Sequence, residues 1–203
     1  MAWIVRATLN TRYAASIRFP KDSVIKLVNY RGPGPLMLFD RAEIPGKAFL
    51  LSDHKAVPDF TLINAKMAVC PEVKEAIEAL EPGRHQFFAV EIVREKGNKP
   101  IFRLDGRELV APYYLFNSSV RLDAVWIEKS EVKIAAYPNQ EPLVFPLLGK
   151  MDRIILRRAV VSGHHVWTGR WQLGDSMFFS DTLMQFVIEN KWKGLESTHL
   201  REE

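Results

Sequence analysis

Within Gly163–Gly174 stand His164, His165, Trp167, Arg170 and Trp171, an unusual grouping of chemically capable side chains. Imidazoles bind metals and pass protons near neutral pH. Adjacent residues on an extended strand point to opposite faces, so His164 and His165 are poorly placed to share one ion, and the nearest carboxylate is Asp175. Tryptophan and arginine are also the residue types that carry much of the energy at protein interfaces, with polar side chains at the rim. The five residues are therefore expected to form a partner-binding segment. The competing expectation places both tryptophans in the core.

Other groups offer less. Cys70 is the single cysteine and falls at the start of a helical pattern, a position that favours a thiolate. A nucleophile also needs an oriented base, and His85 is the one histidine near it in sequence, so a buried, inert thiol is the stronger reading. Ser118, Ser119, Ser130 and Ser176 lack the Gly-x-Ser-x-Gly elbow of serine hydrolases. Asp123, Glu128 and Glu131 would do acid–base work only if they converged in a cleft, and Lys129 among them marks an ordinary charged turn. Arg31–Pro35 (RGPGP) lacks the Lys-Ser/Thr that follows a phosphate loop and reads as a turn. Arg153, Arg157 and Arg158, with Trp167, Arg170 and Trp171, have the composition of a nucleic-acid surface if the aromatics face outward. No metal and no cofactor is expected.

The elements that must position these groups are led by Met177–Leu200. Ser180 is an N-cap, Asp181 complements the helix dipole, and Leu183, Phe186 and Val187 form one apolar face. Asn190 is suited to a left-handed helix end, and Gly194 turns the chain into a strand. Met67–Val90 follows the same plan: Cys70 at the cap, Pro71 at the first helical position, Val73, Ile77 and Leu80 on the apolar face, then Pro82-Gly83 and a strand at Phe87–Val93. The two stretches align without a gap, which marks a candidate two-copy helix–strand repeat.

Around them lie many short extended segments: Trp3–Leu9, Tyr13–Phe19, Phe60–Ala65 leading into the first helix, Pro100–Leu104, Tyr113–Phe116, Val120–Trp126, Glu131–Tyr137 and Met151–Val161. Arg94–Lys99 reads as a hairpin turn with Gly97-Asn98 at its tip. The class is α+β, with mostly short antiparallel strands and two main helices, and not a β-α-β alternation.

The chain has 203 residues, 47% of them hydrophobic and 26% charged, which suits one domain over residues 1–203 with a full core. No apolar run approaches the roughly 20 residues that span a bilayer, and MAWIVRATLN lacks the pattern of a secretory signal. A lone cysteine excludes an intrachain disulfide and suits a reducing cytoplasm. The net charge of +4 is dispersed, without a dense basic run. It suits an acidic protein partner, and nucleic acid is the weaker alternative.

Six pieces in order carry a resemblance: Pro58-Asp59-Phe60, Met67–Leu80, Phe87–Glu91, Tyr113–Asn117 (YYLFN), Leu122–Val132 (LDAVWIEKSEV) and Met177–Leu195 (MFFSDTLMQFVIENKWKGL). Together they resemble the immunity protein eleven family, bacterial proteins encoded beside polymorphic toxins. The resemblance spans residues 58–200, while residues 1–57 carry no matching piece. The chain departs from the pattern at Cys70, where serine is usual, and at Trp126, where an acidic residue is usual. The resemblance implies a non-enzymatic cytoplasmic protein that protects its own cell by binding a cognate toxin, and it brings no catalytic residues.

Overall fold

The computed structural model describes residues 1–9, 14–21, 38–51, 56–135, 143–147, 150–169 and 177–203. The RGPGP turn, the segment 22–28, the loop 138–142 and Ser176 lie outside the described residues. Among the described residues there are three α-helices: α1 (Pro71–Leu80), α2 (Arg158–Val161) and α3 (Asp181–Glu189).

Six strands close a barrel in the order Ile17–Arg18, Lys47–Leu50, Gln86–Arg94, Tyr113–Asn117, Lys66–Val69 and Phe60–Ile63. A second sheet of six strands stays open, in the order Arg121–Leu122, Val166–Gly169, Met177–Ser180, Ala2–Ala7, Leu195–Glu202 and Ile155–Leu156. The class is α+β as expected. Antiparallel pairing holds at the centre of the open sheet and through much of the barrel. The outer strands of the open sheet pair in parallel, as do Ile17–Arg18 with Phe60–Ile63 and Lys47–Leu50 with Gln86–Arg94.

The two stretches with a shared plan fold to the same local topology. In each, a strand, a helix and a second strand form a split pair, with a third strand inserted antiparallel between them. Tyr113–Asn117 lies between Lys66–Val69 and Gln86–Arg94, and Ala2–Ala7 lies between Met177–Ser180 and Leu195–Glu202. Leu115 faces Ala68 on one side and Phe88 on the other, and Ile4 faces Phe178 and Thr198. The two partners are the same interval apart in both units, so the gapless sequence alignment is also an alignment of sheet register.

Strand alternation then sorts the core. Val5, Ala7, Val166, Met177 and Phe179 join the barrel residues, Val73 and Ile77 of α1, and Leu183, Met184 and Val187 of α3 in one cluster. Ala2, Ile4, Trp167, Phe178 and Leu200 point the other way, into a second cluster roofed by Val120, Ala124, Ile154, Leu156 and Val161.

Several expectations are corrected. Phe186 is 37% exposed, and Met184 takes its place in the core, because α3 buries the stripe Leu183–Met184–Val187 and leaves Phe186 on its flank. Met151–Val161 is not one strand but a 3-10 turn at Met151–Arg153, a short strand at Ile155–Leu156, and α2. Asn190 stays right-handed, and Lys191 takes the left-handed conformation at φ 55°. Phe60–Ala65 does not lead straight into α1. Asn64 and Ala65, at φ 47° and 62°, form a two-residue turn that joins two barrel strands. The turn around Gly97 joins strands of different sheets, since Phe102–Arg103 pairs with Ala56–Val57. Gly194 is required for two reasons: its φ is +96°, and a Cβ there would sit 2.0 Å from the Phe60 carbonyl oxygen.

Candidate functional site

The expected partner segment is divided by the fold. Trp167 is 1% exposed, and its ring stacks on Phe178 with centroids 5.6 Å apart and planes 4° from parallel. It is a core residue of the second cluster and offers no surface to a partner. Arg170 and Trp171 lie outside the described residues. His165 Nδ1 is 2.9 Å from Ser180 Oγ, the hydroxyl that also caps α3 by accepting from the Leu183 N–H. His164 is half-buried; its Nδ1 is shut off from solvent, lies 4.0 Å from Glu81 Oε1, and makes no hydrogen bond among the described residues. The two histidines therefore sit at the junction between α1 and the open sheet.

The centre of that junction is Glu81, the residue that ends α1. A carboxylate opposes the helix dipole there, so it needs strong local donors. His85 Nε2 lies 2.8 Å from Oε2, the Val166 N–H donates to Oε2 at 2.9 Å, and Arg84 donates to Oε1 at 3.1 Å. His85 is buried, and its Nδ1 accepts from the Ser119 N–H at 3.3 Å, which assigns the Nε2 proton to the bond with Glu81. Burial raises the Glu81 pKa, but the hydrogen bond from His85 and the backbone N–H groups of His165 and Val166 outweigh it and hold the carboxyl at about 2.

A second buried network ties the barrel to the turn after α3. Arg103 donates to both oxygens of Glu72, at 2.7 and 2.9 Å, and to Asp59 at 2.7 Å. The other Asp59 oxygen accepts the Lys193 N–H at 2.7 Å, next to Gly194. Burial pushes Glu72 up, yet the Arg103 hydrogen bonds bring it to about 2, and the two carboxylates raise Arg103 in return. Cys70, beside this network, is fully buried, and burial pushes its thiol up to about 12. Desolvation thus defeats the pull of the helix N-terminus, and the thiol is inert at neutral pH. Burial likewise pushes Tyr113 up.

The remaining candidates are also engaged in structure. Ser118 Oγ donates to the Val120 carbonyl, and Ser130 Oγ donates to the Trp126 carbonyl while accepting from the Ile155 N–H. Asp123 pairs with Arg157 at 2.9 Å and Glu131 with Lys150, so these carboxylates serve separate cations. Arg153 pairs with Asp152 at 3.6 Å and Arg158 with Glu202 at 4.0 Å. Trp126 is half-buried under the Lys129 ammonium, which lies 3.8 Å from the ring centroid. Among the described residues no group of three His, Cys, Asp or Glu side chains is placed to hold a metal, and no helix is long and apolar enough to cross a membrane. Among the described residues, no titratable side chain lines a cleft of about 260 Å³ between Thr8-Leu9, Ala14–Ser16 and Phe60–Leu62.

Sequence reasoning missed Glu81, Asp59 and Arg103 as the buried charged residues. The available signal was Asp59 inside the apolar run Val57–Leu62, and Arg103 between Phe102 and Leu104. Both are charges where a strand pattern calls for apolar residues.

Residues 12–201 match the Immunity protein family (Imm11), and the chain belongs to that family. The match takes in most of the segment before Pro58, which carries no piece of the motif resemblance. No curated protein matches the chain in sequence.

Proposed function

We propose that this Imm11 chain is a non-enzymatic immunity protein. It binds and neutralises a cognate toxin in the bacterial cytoplasm, within a polymorphic toxin system used in competition between bacteria. The family match over residues 12–201 is the observation that carries the reading. The arrangement of reactive groups supports it. Cys70 is buried and neutral, Glu81 and His85 are bound to each other and to backbone, and Arg103 is enclosed by carboxylates. These are the marks of groups that hold a scaffold, and a binding protein needs a rigid scaffold with its contact residues on loops.

Arg170 and Trp171 follow directly on the anchored strand Val166–Gly169 and are the proposed contact residues, with His164 and His165 beside that strand. Trp167 supports the surface from within. The competing nucleic-acid reading is weakened by the pairing of Arg153, Arg157 and Arg158 with carboxylates.

The test is co-purification of the chain with the toxin domain encoded by the neighbouring gene. A complex is expected. Arg170→Ala and Trp171→Ala are each expected to weaken it by about 2 kcal/mol or more without shifting the melting temperature. Normal binding by both variants overturns the surface. Absence of any complex, together with salt-sensitive binding of single-stranded RNA, replaces the toxin reading with the nucleic-acid one.

A further inference from the structure

The turn that follows α3 is built from Lys191, Trp192 and Lys193. Its backbone is fixed from inside. The Trp192 N–H donates to the Val187 carbonyl at 3.1 Å, the Lys193 N–H donates to Asp59 at 2.7 Å, and the Lys193 carbonyl accepts the Phe60 N–H at 2.9 Å. Trp192 is half-buried and meets Phe60 edge-on, with ring centroids 6.5 Å apart. Both lysines are exposed, and among the described residues neither makes an ion pair. The carboxylates around the turn are already held: Glu189 accepts from Gln185, Glu196 from Arg6 and Thr8, and Asp59 from Arg103.

The turn does not call for these side chains. Lys191 sits at φ 55°, a conformation that favours glycine or asparagine. In the first unit the same three places hold Glu81, Pro82 and Gly83, a carboxylate with its own donors followed by two ordinary turn residues. A strained lysine exposed on a rigid backbone costs folding and offers a partner a fixed charge. We propose that Lys191, Trp192 and Lys193 form a second contact surface for the toxin, which receives an acidic segment of that partner. This rests on the toxin-binding reading, though not on Arg170 and Trp171. Two unpaired ammonium groups on a fixed turn meet a carboxylate-rich surface without rearrangement, and their charge speeds the encounter. The indole between them adds an amphipathic patch. His165 bonds to Ser180 at the start of α3, and the nine residues of that helix rise roughly 14 Å to its end. An interface of about 800 Å² on each partner is wider than that, so one toxin can cover both ends of α3.

Association kinetics with the toxin domain encoded by the neighbouring gene test this, at low and at physiological salt. The double variant Lys191→Ala/Lys193→Ala is expected to slow association about tenfold at low salt, to flatten the salt dependence, and to keep the parent's melting temperature. Lys96→Ala/Lys99→Ala removes the same charge from the exposed turn at Gly97 and should slow association less than about twofold. An unchanged association rate in the first variant, or an equal fall in both, overturns this surface while the complex itself stands. A parent chain that forms no complex overturns the toxin reading and the surface with it. Loss of single-stranded RNA binding in the first variant, with toxin association intact, assigns the turn to nucleic acid and overturns the acidic partner.

Discussion

The two split strand–helix–strand units differ in how they cover the same local plan. In the first, the sheet around Tyr113–Asn117 curls until Phe60–Ile63 meets Ile17–Arg18, and the barrel buries its own interior. In the second, the sheet around Ala2–Ala7 stays open, and its far face is roofed by Val120, Ala124, Ile154, Leu156 and Val161. The ends of the helices differ as well. In the gapless alignment Glu81 corresponds to Lys191. The first gathers donors from two segments, whereas the second turns the chain at φ 55°. Local pattern sets the unit, and long-range partners decide whether it closes or is covered.

The open unit depends on its second face, so the largest expected effect lies there. Trp167→Ala should cost about 3–5 kcal/mol in chemical denaturation, since it empties a buried stack on Phe178. Phe186→Ala, on the exposed flank of α3, should cost less than about 1 kcal/mol. Equal costs would erase the difference between the covered face and the outer helix.

The barrel unit depends on enclosed charge. Arg103→Met should cost about 3 kcal/mol, because it strands Asp59 and Glu72 without their shared cation. A melt unchanged from the parent would show that these carboxylates find other partners.

Acid should weaken the same unit. Glu72 and Glu81 are both held at about 2, below the ordinary carboxyl value of 4.5. A depressed folded-state pKa contributes stability above the unfolded value and loses it as pH falls toward the folded one. Stability should therefore decline from about pH 4.5 down to about pH 2. Glu81→Gln should remove part of that decline, and an identical acid limb in this variant would contradict the assignment.

The smallest contrast is at the helix caps. Ser180 Oγ accepts from the Leu183 N–H at 3.2 Å, whereas Cys70 makes no side-chain cap bond. Ser180→Ala should cost about 1 kcal/mol. Cys70→Ser gains a cap but buries a hydroxyl, and should change stability by less than about 1 kcal/mol. A large gain from Cys70→Ser would mean that the burial cost is negligible.

Legibility in the sequence follows the range of the interactions. The N-caps, the helix starts and the buried positions Val73, Ile77, Leu183 and Val187 rest on neighbours within one or two turns and read correctly, whereas the left-handed end at Asn190 and the burial of Phe186 did not. Barrel closure did not, because it depends on a two-residue strand at Ile17–Arg18 and on parallel pairs distant in sequence. The Asn64-Ala65 turn was missed because alanine at φ 62° is a poor turn signal. Trp167 was ambiguous for a different reason: tryptophan suits a core and an interface equally, and only the strand's facing decides. Glu81 drew no reading from the sequence, since His85, Arg84 and Val166 come together on it only through the fold.

Toxin inhibition titrated against this chain tests the central claim most directly. With the toxin well above the dissociation constant, a binding immunity protein removes activity linearly and reaches an endpoint at a fixed molar ratio. Added toxin then restores the activity, and the recovered toxin is chemically intact. Full protection at a small fraction of that ratio, with covalently altered toxin, would show turnover and contradict neutralisation by binding.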